Sequence, residues 1–380
     1  MNEAPESTPS LRRIACAIPG QSLYLLGDDG VVYSETQNRF AGLSAAGVSA
    51  YLAFDAGMSV KDLAAFSRNA AYESHEAIDT IAALARGIFP GEDPLITWSP
   101  LQSSFTANVR IHDLPVLVEF PPGPPTEICR DCFRNFPPSA ERAKCHISAR
   151  PSQKGWTVYV NGCRLLSSLA DEQLGLGFLY AARSLLYAES RYDAACHAAM
   201  VADGAGGILL SGPREAGKST LAAYLVSCGF ALLTDEPALL DVATGCVSSL
   251  YLPFSLKERS WPLLGDAFPQ LAGSPIHVRS DGVRIKLLHM TAGNCSTQPR
   301  RITHIVFPEY RSSCATHVER VSPLQALHLL NEAGSILAKA LPRHKFEALL
   351  QMICDAPACT LQYSCLPEAA SVIGRLASEA

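Results

Sequence analysis

The stretch Gly206-Gly-Ile-Leu-Leu-Ser-Gly-Pro-Arg-Glu-Ala-Gly-Lys-Ser219 decides the fold class. Its last part, from Gly212 to Ser219, matches the pattern G-x-x-x-x-G-K-[S/T], which is typical of loops that cradle phosphate groups. An apolar strand pattern precedes the loop. A helical pattern follows it from Lys218 to Ser227, and Gly229 is placed to end that helix. A strand, a glycine-rich loop and a helix in this order predict an α/β fold.

The loop predicts a nucleotide site, because its backbone N–H groups and the N-terminus of the following helix would face phosphate oxygens. Lys218 is expected to neutralise the β- and γ-phosphates, and the Ser219 hydroxyl is placed to bind Mg²⁺. ATP and Mg²⁺ are therefore the predicted cofactors. The predicted nucleotide-binding residues are Gly212, Pro213, Arg214, Ala216, Gly217, Lys218, Ser219 and Thr220. The alternative is a glycine-rich turn with an exposed lysine.

An acidic pair, Asp235-Glu236, directly follows the next predicted strand. A carboxylate at this strand end, beside the strand that leads into the loop, can hold Mg²⁺ through water or accept a proton from an attacking hydroxyl. An acidic cap of a helix or turn is the alternative. Upstream of the loop, a lone histidine such as His197 is more often a structural hydrogen bonder, so a structural and a functional role both stay open.

These residues resemble the HPr serine kinase family, and most closely the HPr-kinase-related proteins found beside modified-peptide gene clusters. The shared features are His197, the loop with Gly217-Lys-Ser-Thr-Leu, and Cys228-Gly-Phe-Ala-Leu-Leu-Thr-Asp-Glu236. The segments Leu252-Pro-Phe-Ser-Leu-Lys-Glu-Arg259 and Ile305-Val-Phe-Pro-Glu-Tyr310 are similar as well. The resemblance is specific from 197 to 241 and weaker over the rest of 95–380. It implies a P-loop kinase core of the HPr-kinase/PEP-carboxykinase-like (HprK-like) type.

By this resemblance the catalytic residues are His197, Lys218, Asp235 and Glu236, and the metal ligands are Ser219, Asp235 and Glu236. The family usually has two aspartates in the acidic pair, so Glu236 leaves the division between base and metal contact open. Arg214-Glu215 replaces a small residue and a glycine, and Glu215 would place a carboxylate beside the triphosphate unless it points away. No Gly-Arg-Asn segment linked to the reverse reaction matches, so reversal is not predicted.

Residues 11–90 predict a smaller N-terminal unit. Leu23-Tyr-Leu-Leu and Val31-Val-Tyr-Ser have strand character, and Gly27 to Gly30 between them favours a hairpin. Three helices are predicted after it, at 37–54, 59–67 and 74–85. Residues 1–10 are predicted to be a disordered tail, and the glycines and prolines of 87–94 place a boundary before a kinase domain at 91–380.

Residues 11–67 resemble the small winged-helix-like, leader-peptide-binding domains of the pyrroloquinoline-quinone D type (PqqD-like). Such domains bind a peptide by adding it as a strand to a sheet edge. The resemblance assigns peptide binding to Val31, Val32, Tyr33 and Ser34. A structural cap on the kinase is one alternative. DNA binding is disfavoured, because residues 1–90 carry six Lys/Arg and ten Asp/Glu.

The remaining pattern predicts strands within 105–120 and 156–166, a proline-rich loop at 121–138, and a helix at 171–190. Three more helices are predicted to begin near Ser322-Pro323, Arg343 and Pro367. Cys129, Cys132, Cys145 and His146 suggest zinc, but adjacent Cys145 and His146 fit one tetrahedral ion poorly. A surface loop with incidental thiols is the favoured interpretation.

Composition predicts a cytoplasmic protein. The chain has 380 residues, a net charge of −5 and 13 cysteines without regular spacing. An odd number of scattered thiols indicates a reducing compartment, and no apolar run is long enough to span a membrane. Neither a nucleic-acid nor a membrane partner is predicted. A homo-oligomer is compatible with the sequence.

The combined prediction is a kinase that transfers the γ-phosphoryl group of ATP to a Ser or Thr hydroxyl. The acceptor would be a ribosomally made precursor peptide, delivered by the N-terminal unit. One alternative is a kinase of a small molecule or a phosphocarrier protein, with the N-terminal unit merely structural. Another is a nucleotide-gated regulator without catalysis.

Overall fold

The computed structural model describes residues 11–16, 20–34, 39–43, 45–55, 105–189, 191–204, 206–334, 336–337 and 341–378. The described residues form a mixed α/β protein, as predicted, with sheets of four, ten, three and five strands. The strands are β1 (Arg12–Ala15), β2 (Gln21–Leu26), β3 (Asp29–Ser34), β4 (Arg39–Leu43), β5 (Phe105–Ile111), β6 (Leu114–Phe120), β7 (Cys145–Ser152), β8 (Gly155–Val160), β9 (Cys163–Leu169), β10 (Ala194–Cys196), β11 (Ala198–Asp203), β12 (Gly206–Ser211), β13 (Ala231–Asp235), β14 (Ala238–Asp241), β15 (Cys246–Val247), β16 (Phe254–Lys257), β17 (Ile276–Val278), β18 (Arg284–Leu288), β19 (Arg300–Tyr310), β20 (His317–Val321), β21 (Ile336–Leu337) and β22 (Ala358–Tyr363). The α-helices are α1 (Ala45–Asp55), α2 (Pro125–Asp131), α3 (Asp171–Glu189), α4 (Lys218–Ser227), α5 (Trp261–Leu264), α6 (Pro323–Glu332), α7 (Arg343–Asp355) and α8 (Leu366–Ser378).

The ten-stranded sheet forms the centre of the fold and follows the order β13-β11-β12-β19-β15-β14-β10-β21, with β22 between β19 and β20. Strand β12 is buried on both faces, which explains its continuous apolar run. Ile208 and Leu210 pack on the side of α4, whereas Leu209 packs on the side of α7. The strand–loop–helix unit predicted at 207–227 is confirmed.

A five-stranded sheet, ordered β5-β6-β7-β8-β9, packs against α3. A strand or hairpin was predicted at 105–120 and at 156–166, and each range forms a pair of strands, β5 with β6 and β8 with β9. The predicted helix at 171–190 is confirmed over its described part, Asp171–Glu189. The proline-rich loop was predicted incompletely. Residues 125–131 form α2, and Pro125 fits at its first position because no intrahelical partner is lost there. Strand β7, which the sequence pattern did not reveal, pairs in parallel with β6.

The N-terminal sheet has the order β1-β2-β3-β4. The predicted hairpin is confirmed, with Leu26 paired to Asp29 across a tight turn in which Gly27 has a φ of 72°. The helix predicted at 37–54 is wrong at its start, because residues 39–43 form β4 and pair with β3. The predicted helices at 59–67 and 74–85, the tail at 1–10 and the boundary at 87–94 lie outside the described residues.

This N-terminal sheet shares a core with the central sheet. Tyr24, Val31 and Tyr33 belong to the buried cluster that includes Phe346 of α7, while alternate residues face α1. The Tyr33 and Phe346 rings stack with centroids 3.8 Å apart, and the Tyr33 hydroxyl donates to the Leu341 carbonyl at 2.5 Å. The two parts therefore bury one apolar surface together.

Three helices close the described fold at its C-terminal end, α6, α7 and α8, as predicted. Helix α6 begins with a capping box, in which Ser322 and Gln325 bond each other's backbone N–H groups. Among the described residues, no helix is both long and apolar enough to cross a membrane.

Candidate active site

The predicted phosphate loop joins β12 to α4 at the carboxyl end of β12. Gly217 sits at the helix start with a φ of 91°, which a residue with a side chain adopts only with strain. A Cβ atom there would also lie 2.4 Å from the Tyr363 hydroxyl. Both observations explain why a glycine occupies the position before Lys218.

The Lys218 ammonium is folded back into the loop. Its Nζ donates to the Gly212 carbonyl at 2.6 Å and to the Pro213 carbonyl at 2.9 Å. Burial disfavours its charged form and lowers the pKa of Lys218. Among the described residues, these two neutral carbonyls are the acceptors of the Lys218 ammonium. An anion bound in the loop would give this ammonium charged acceptors in their place.

Asp235 is almost fully buried, with 3 % of its surface exposed, and it faces the start of α4. The Ser219 hydroxyl donates to Asp235 Oδ1 at 2.8 Å, and the Ser255 backbone N–H donates to Oδ2 at 3.2 Å. Burial raises the pKa of Asp235 to about 6, although the Ser219 hydrogen bond opposes the shift. A divalent cation between Ser219 and Asp235 would stabilise the ionised carboxylate.

Glu236 differs from its neighbour. Its Oε1 lies 2.8 Å from His197 Nδ1, and its backbone adopts a φ of 57° while its N–H donates to the Ala198 carbonyl. Burial alone would raise the pKa of Glu236, but the His197 hydrogen bond and the positive charge of Arg183 outweigh it and lower this pKa to about 2. Glu236 is therefore ionised at neutral pH and orients His197.

The strand that ends in the acidic pair was predicted to lie directly beside the loop strand. In the structure the two strands are not neighbours. Strand β11 lies between β12 and β13 and pairs antiparallel with both. Because β12 and β13 both run antiparallel to β11, they are parallel to each other and their carboxyl ends meet at one edge. This shared edge brings Asp235 and Glu236 close to Ser219, as predicted, even though β11 lies between the two strands.

The segment from Phe254 to Ser260 forms a second wall of the site, which sequence reasoning did not assign. Lys257 Nζ lies 2.7 Å from Glu215 Oε1, so the Glu215 carboxylate points out of the loop toward a cation. The Thr220 and Ser260 hydroxyls are 2.7 Å apart. The resemblance of residues 252–259 was the only signal for this wall, and nothing in the sequence pointed to Arg183 on α3.

The prediction that Val31, Val32, Tyr33 and Ser34 form a sheet edge is wrong. These residues belong to β3, which pairs with β2 on one side and β4 on the other. Its backbone N–H and C=O groups are therefore already used, and no further strand can be added there. Within the described residues the outer strands of this sheet are β1 and β4.

The predicted surface loop with incidental thiols is also wrong. Cys129 lies within α2 and Cys132 directly follows it, and both are fully buried. The Cys132 thiol donates to the Gly175 carbonyl at 3.1 Å, and His146 Nε2 lies 2.9 Å from Glu119 Oε2. In the described part of the chain no three Cys, His, Asp or Glu side chains form a group suited to a metal ion.

No protein-family model matches the chain. A search of curated proteins finds no significant match either. The chemistry of the site must therefore be inferred from its own geometry.

Proposed function

We propose that this protein is an ATP-dependent kinase of the HPr serine kinase type that phosphorylates a Ser or Thr hydroxyl on a ribosomally made precursor peptide. One observation carries the proposal. The Ser219 hydroxyl at the start of the loop helix lies 2.8 Å from Asp235 at the end of β13. A hydroxyl and a carboxylate beside a phosphate loop are the protein ligands that a nucleotide-bound Mg²⁺ requires.

The opposite environments of the acidic pair suggest a division of roles. Asp235 faces Ser219 and would hold Mg²⁺ there, which neutralises its buried charge. Glu236 holds His197 through Nδ1, and within the described residues His197 Nε2 has no protein partner. His197 would then take the proton of the acceptor hydroxyl as general base, oriented by a carboxylate.

The proposed transfer step uses these residues. The acceptor oxygen attacks the γ-phosphorus, its proton moves to His197 Nε2, and the bond from the γ-phosphorus to the bridging oxygen breaks to release ADP. Lys218 and Mg²⁺ would stabilise the charge that develops on the transferred group and on the leaving ADP. Loop N–H groups contribute in the same way, except at Pro213, which has none.

Delivery of the peptide is proposed to use the N-terminal sheet. Strand addition needs an outer strand, so the leader would pair with β1 or β4 rather than with Val31 to Ser34.

A second candidate function is a kinase of a free small molecule or a phosphocarrier protein. The core that Tyr33 shares with Phe346 favours this alternative, because it gives the N-terminal sheet a structural purpose.

The test is phosphoryl transfer from ATP labelled in the γ-phosphate, in the presence of Mg²⁺, to each of several acceptors. The acceptors are a full-length precursor peptide, its leaderless core, free serine and a phosphocarrier protein. The proposal predicts labelling of the full precursor at far lower concentrations than the core. Preferred labelling of serine or of the phosphocarrier supports the second candidate. Nucleotide binding without transfer to any acceptor contradicts catalysis.

A further inference from the structure

Two tyrosines flank the phosphate loop on the side away from Asp235. Tyr310 is the last residue of β19, and Tyr363 is the last residue of β22. In the order β13-β11-β12-β19, continued by β22, the loop strand β12 lies between Asp235 and these tyrosines. The loop therefore separates an acidic side from an aromatic side.

The aromatic side lies at the edge of the sheet where ligands are expected. Strand β19 is parallel to β12 and β22 is parallel to β19, so the carboxyl ends of all three strands lie at one edge. In open α/β sheets, ligands bind outside the carboxyl ends of the strands. Tyr310 and Tyr363 thus share the binding edge with the phosphate loop.

Tyr310 is fixed to the loop, yet its side chain is half exposed. Its backbone N–H donates to the Ala216 carbonyl at 3.2 Å, and its Cβ lies 3.4 Å from the Cβ position of Gly217. The Tyr363 ring is buried and meets the Tyr310 ring edge-on, with centroids 5.8 Å apart and planes at 72°. Tyr310 keeps 50 % of its surface exposed. The ring is thus held in place from one side and open to solvent on another.

A triphosphate in the loop has a direction. If its γ-phosphate faces Mg²⁺, Glu236 and His197, its α-phosphate and nucleoside must lie toward the opposite side of the loop. That side carries Tyr310. An exposed aromatic face there can stack on a nucleobase, an interaction that every base supports because every base has a π-face.

We infer that Tyr310 is the stacking face for the base of the bound nucleoside triphosphate, with Tyr363 as the residue that positions it. The inference rests on the proposed function, because it assumes a triphosphate in this loop. It adds that the site takes a nucleotide rather than a polyphosphate alone. Since stacking tolerates any base, it also predicts that ATP and GTP bind with similar affinity.

The test is calorimetric titration of the full chain with MgATP, MgGTP and magnesium tripolyphosphate, which lacks a base. Tyr310→Ala should weaken both nucleotides roughly five- to 150-fold, the equivalent of the ~1–3 kcal/mol that base stacking contributes. Tripolyphosphate should bind as it does to the wild type. Tyr310→Leu keeps apolar bulk without a ring and should match Tyr310→Ala. Tyr180→Ala on α3 removes a tyrosine that is 52 % exposed and should change nothing.

Three outcomes overturn the inference. In the first, the Tyr310 variants bind ATP as the wild type does. In the second, they lose ATP and tripolyphosphate equally, which shows a damaged loop. In the third, the wild type binds tripolyphosphate as tightly as ATP. A wild type that binds none of the three ligands instead contradicts the proposed function itself, and the inference falls with it.

Discussion

At the residue scale, the acidic pair shows how position in the chain and chemical environment can diverge. Asp235 and Glu236 are neighbours, but burial raises the pKa of Asp235 to about 6, whereas the hydrogen bond from His197 and nearby positive charge lower the pKa of Glu236 to about 2 against the effect of burial. Two carboxyl groups with such different pKa values are suited to different roles in a reaction. The sequence indicated the pair but could not divide its roles, because Arg183 and Ser255, which shape the two environments, lie far away in the chain.

The first prediction concerns pH. Because the pKa of Asp235 in the folded protein is about 6, above its ordinary 3.8, turnover should fall as pH drops through about 6, and added Mg²⁺ should move this fall to lower pH. The free energy of unfolding should depend on pH in the opposite direction. Without Mg²⁺, the free energy of unfolding should decrease as pH rises from about 4 to about 6, since the folded state binds the extra proton. Asp235→Asn should lack that decrease in thermal melts. A flat turnover profile through about pH 6 contradicts the assignment.

The second prediction concerns Gly217. Gly217→Ala and Gly229→Ala each place a side chain at positive φ, 91° and 107°, and each should cost about 1 kcal/mol or more. Only Gly217→Ala also meets the Tyr363 hydroxyl, so it should lose more stability and ATP affinity. Adding Tyr363→Phe should restore part of both losses, as followed by thermal melts and titration. Equal effects of the two glycine changes would show that the contact with Tyr363 is unimportant.

At the element scale, the phosphate loop is enclosed by a segment from another sheet. In strand β16 and the turn after it, Lys257 contacts Glu215 of the loop, Ser260 contacts Thr220 of α4, and the Ser255 N–H donates to Asp235. Exposed ion pairs contribute little to stability, so the contact between Lys257 and Glu215 matters mainly for the electrostatics of the loop. The Lys257 hydrogen bond and charge lower the pKa of Glu215 most, and the positive charges of Arg259 and Arg279 lower it further.

The third prediction follows from this contact. Glu215→Ala removes a negative charge from the phosphate loop and should tighten ATP binding severalfold, whereas Lys257→Ala should weaken it. Neither should shift the melting temperature appreciably, because solvent reaches both side chains, with 70 % of Glu215 and 34 % of Lys257 exposed. Calorimetric titration at low and high salt checks this, since added salt should shrink both effects. An unchanged affinity in Glu215→Ala would show that Glu215 lies too far from the phosphates to matter.

Local patterns predicted most elements around the loop. The apolar run of β12, the helix from Lys218 and the hairpin at Gly27 follow from spacing and turn residues within a few positions. Sequence could not place β11 between β12 and β13, because strand order depends on long-range pairing. The misplaced helix start at 37 has a similar cause. Residues 39–43 become strand β4 by pairing with β3, which overrides their local preference.

At the scale of the whole molecule, the N-terminal sheet shares a buried core with the central sheet. The stack of Tyr33 on Phe346 and their shared cluster mean that deleting residues 1–90 would expose a buried apolar surface. A deletion would therefore confuse lost delivery with lost stability. The role of the sheet is better tested with the chain intact.

The fourth prediction uses a free leader peptide as a competitor. If the N-terminal sheet tethers the precursor, added leader should raise KM for the full precursor while leaving kcat unchanged. It should leave the leaderless core unaffected. The reason is mass action, because a tether raises the local concentration of the acceptor hydroxyl to roughly millimolar without altering the chemistry. Steady-state kinetics with and without leader measure this. A leader that slows both acceptors, or neither, contradicts delivery by the sheet.

The central claim, phosphoryl transfer from ATP at the loop between Gly212 and Ser219, has a direct test in two buried lysines. Lys218 and Lys286 are 8 % and 9 % exposed, and each donates to two backbone carbonyls. Only Lys218 lies in the loop. The measurement is transfer of labelled γ-phosphate from MgATP to the best acceptor by the wild type, Lys218→Ala and Lys286→Ala, with circular dichroism to confirm folding. We predict that Lys218→Ala abolishes transfer and that Lys286→Ala retains it. Wild-type transfer by a folded Lys218→Ala variant would contradict the account.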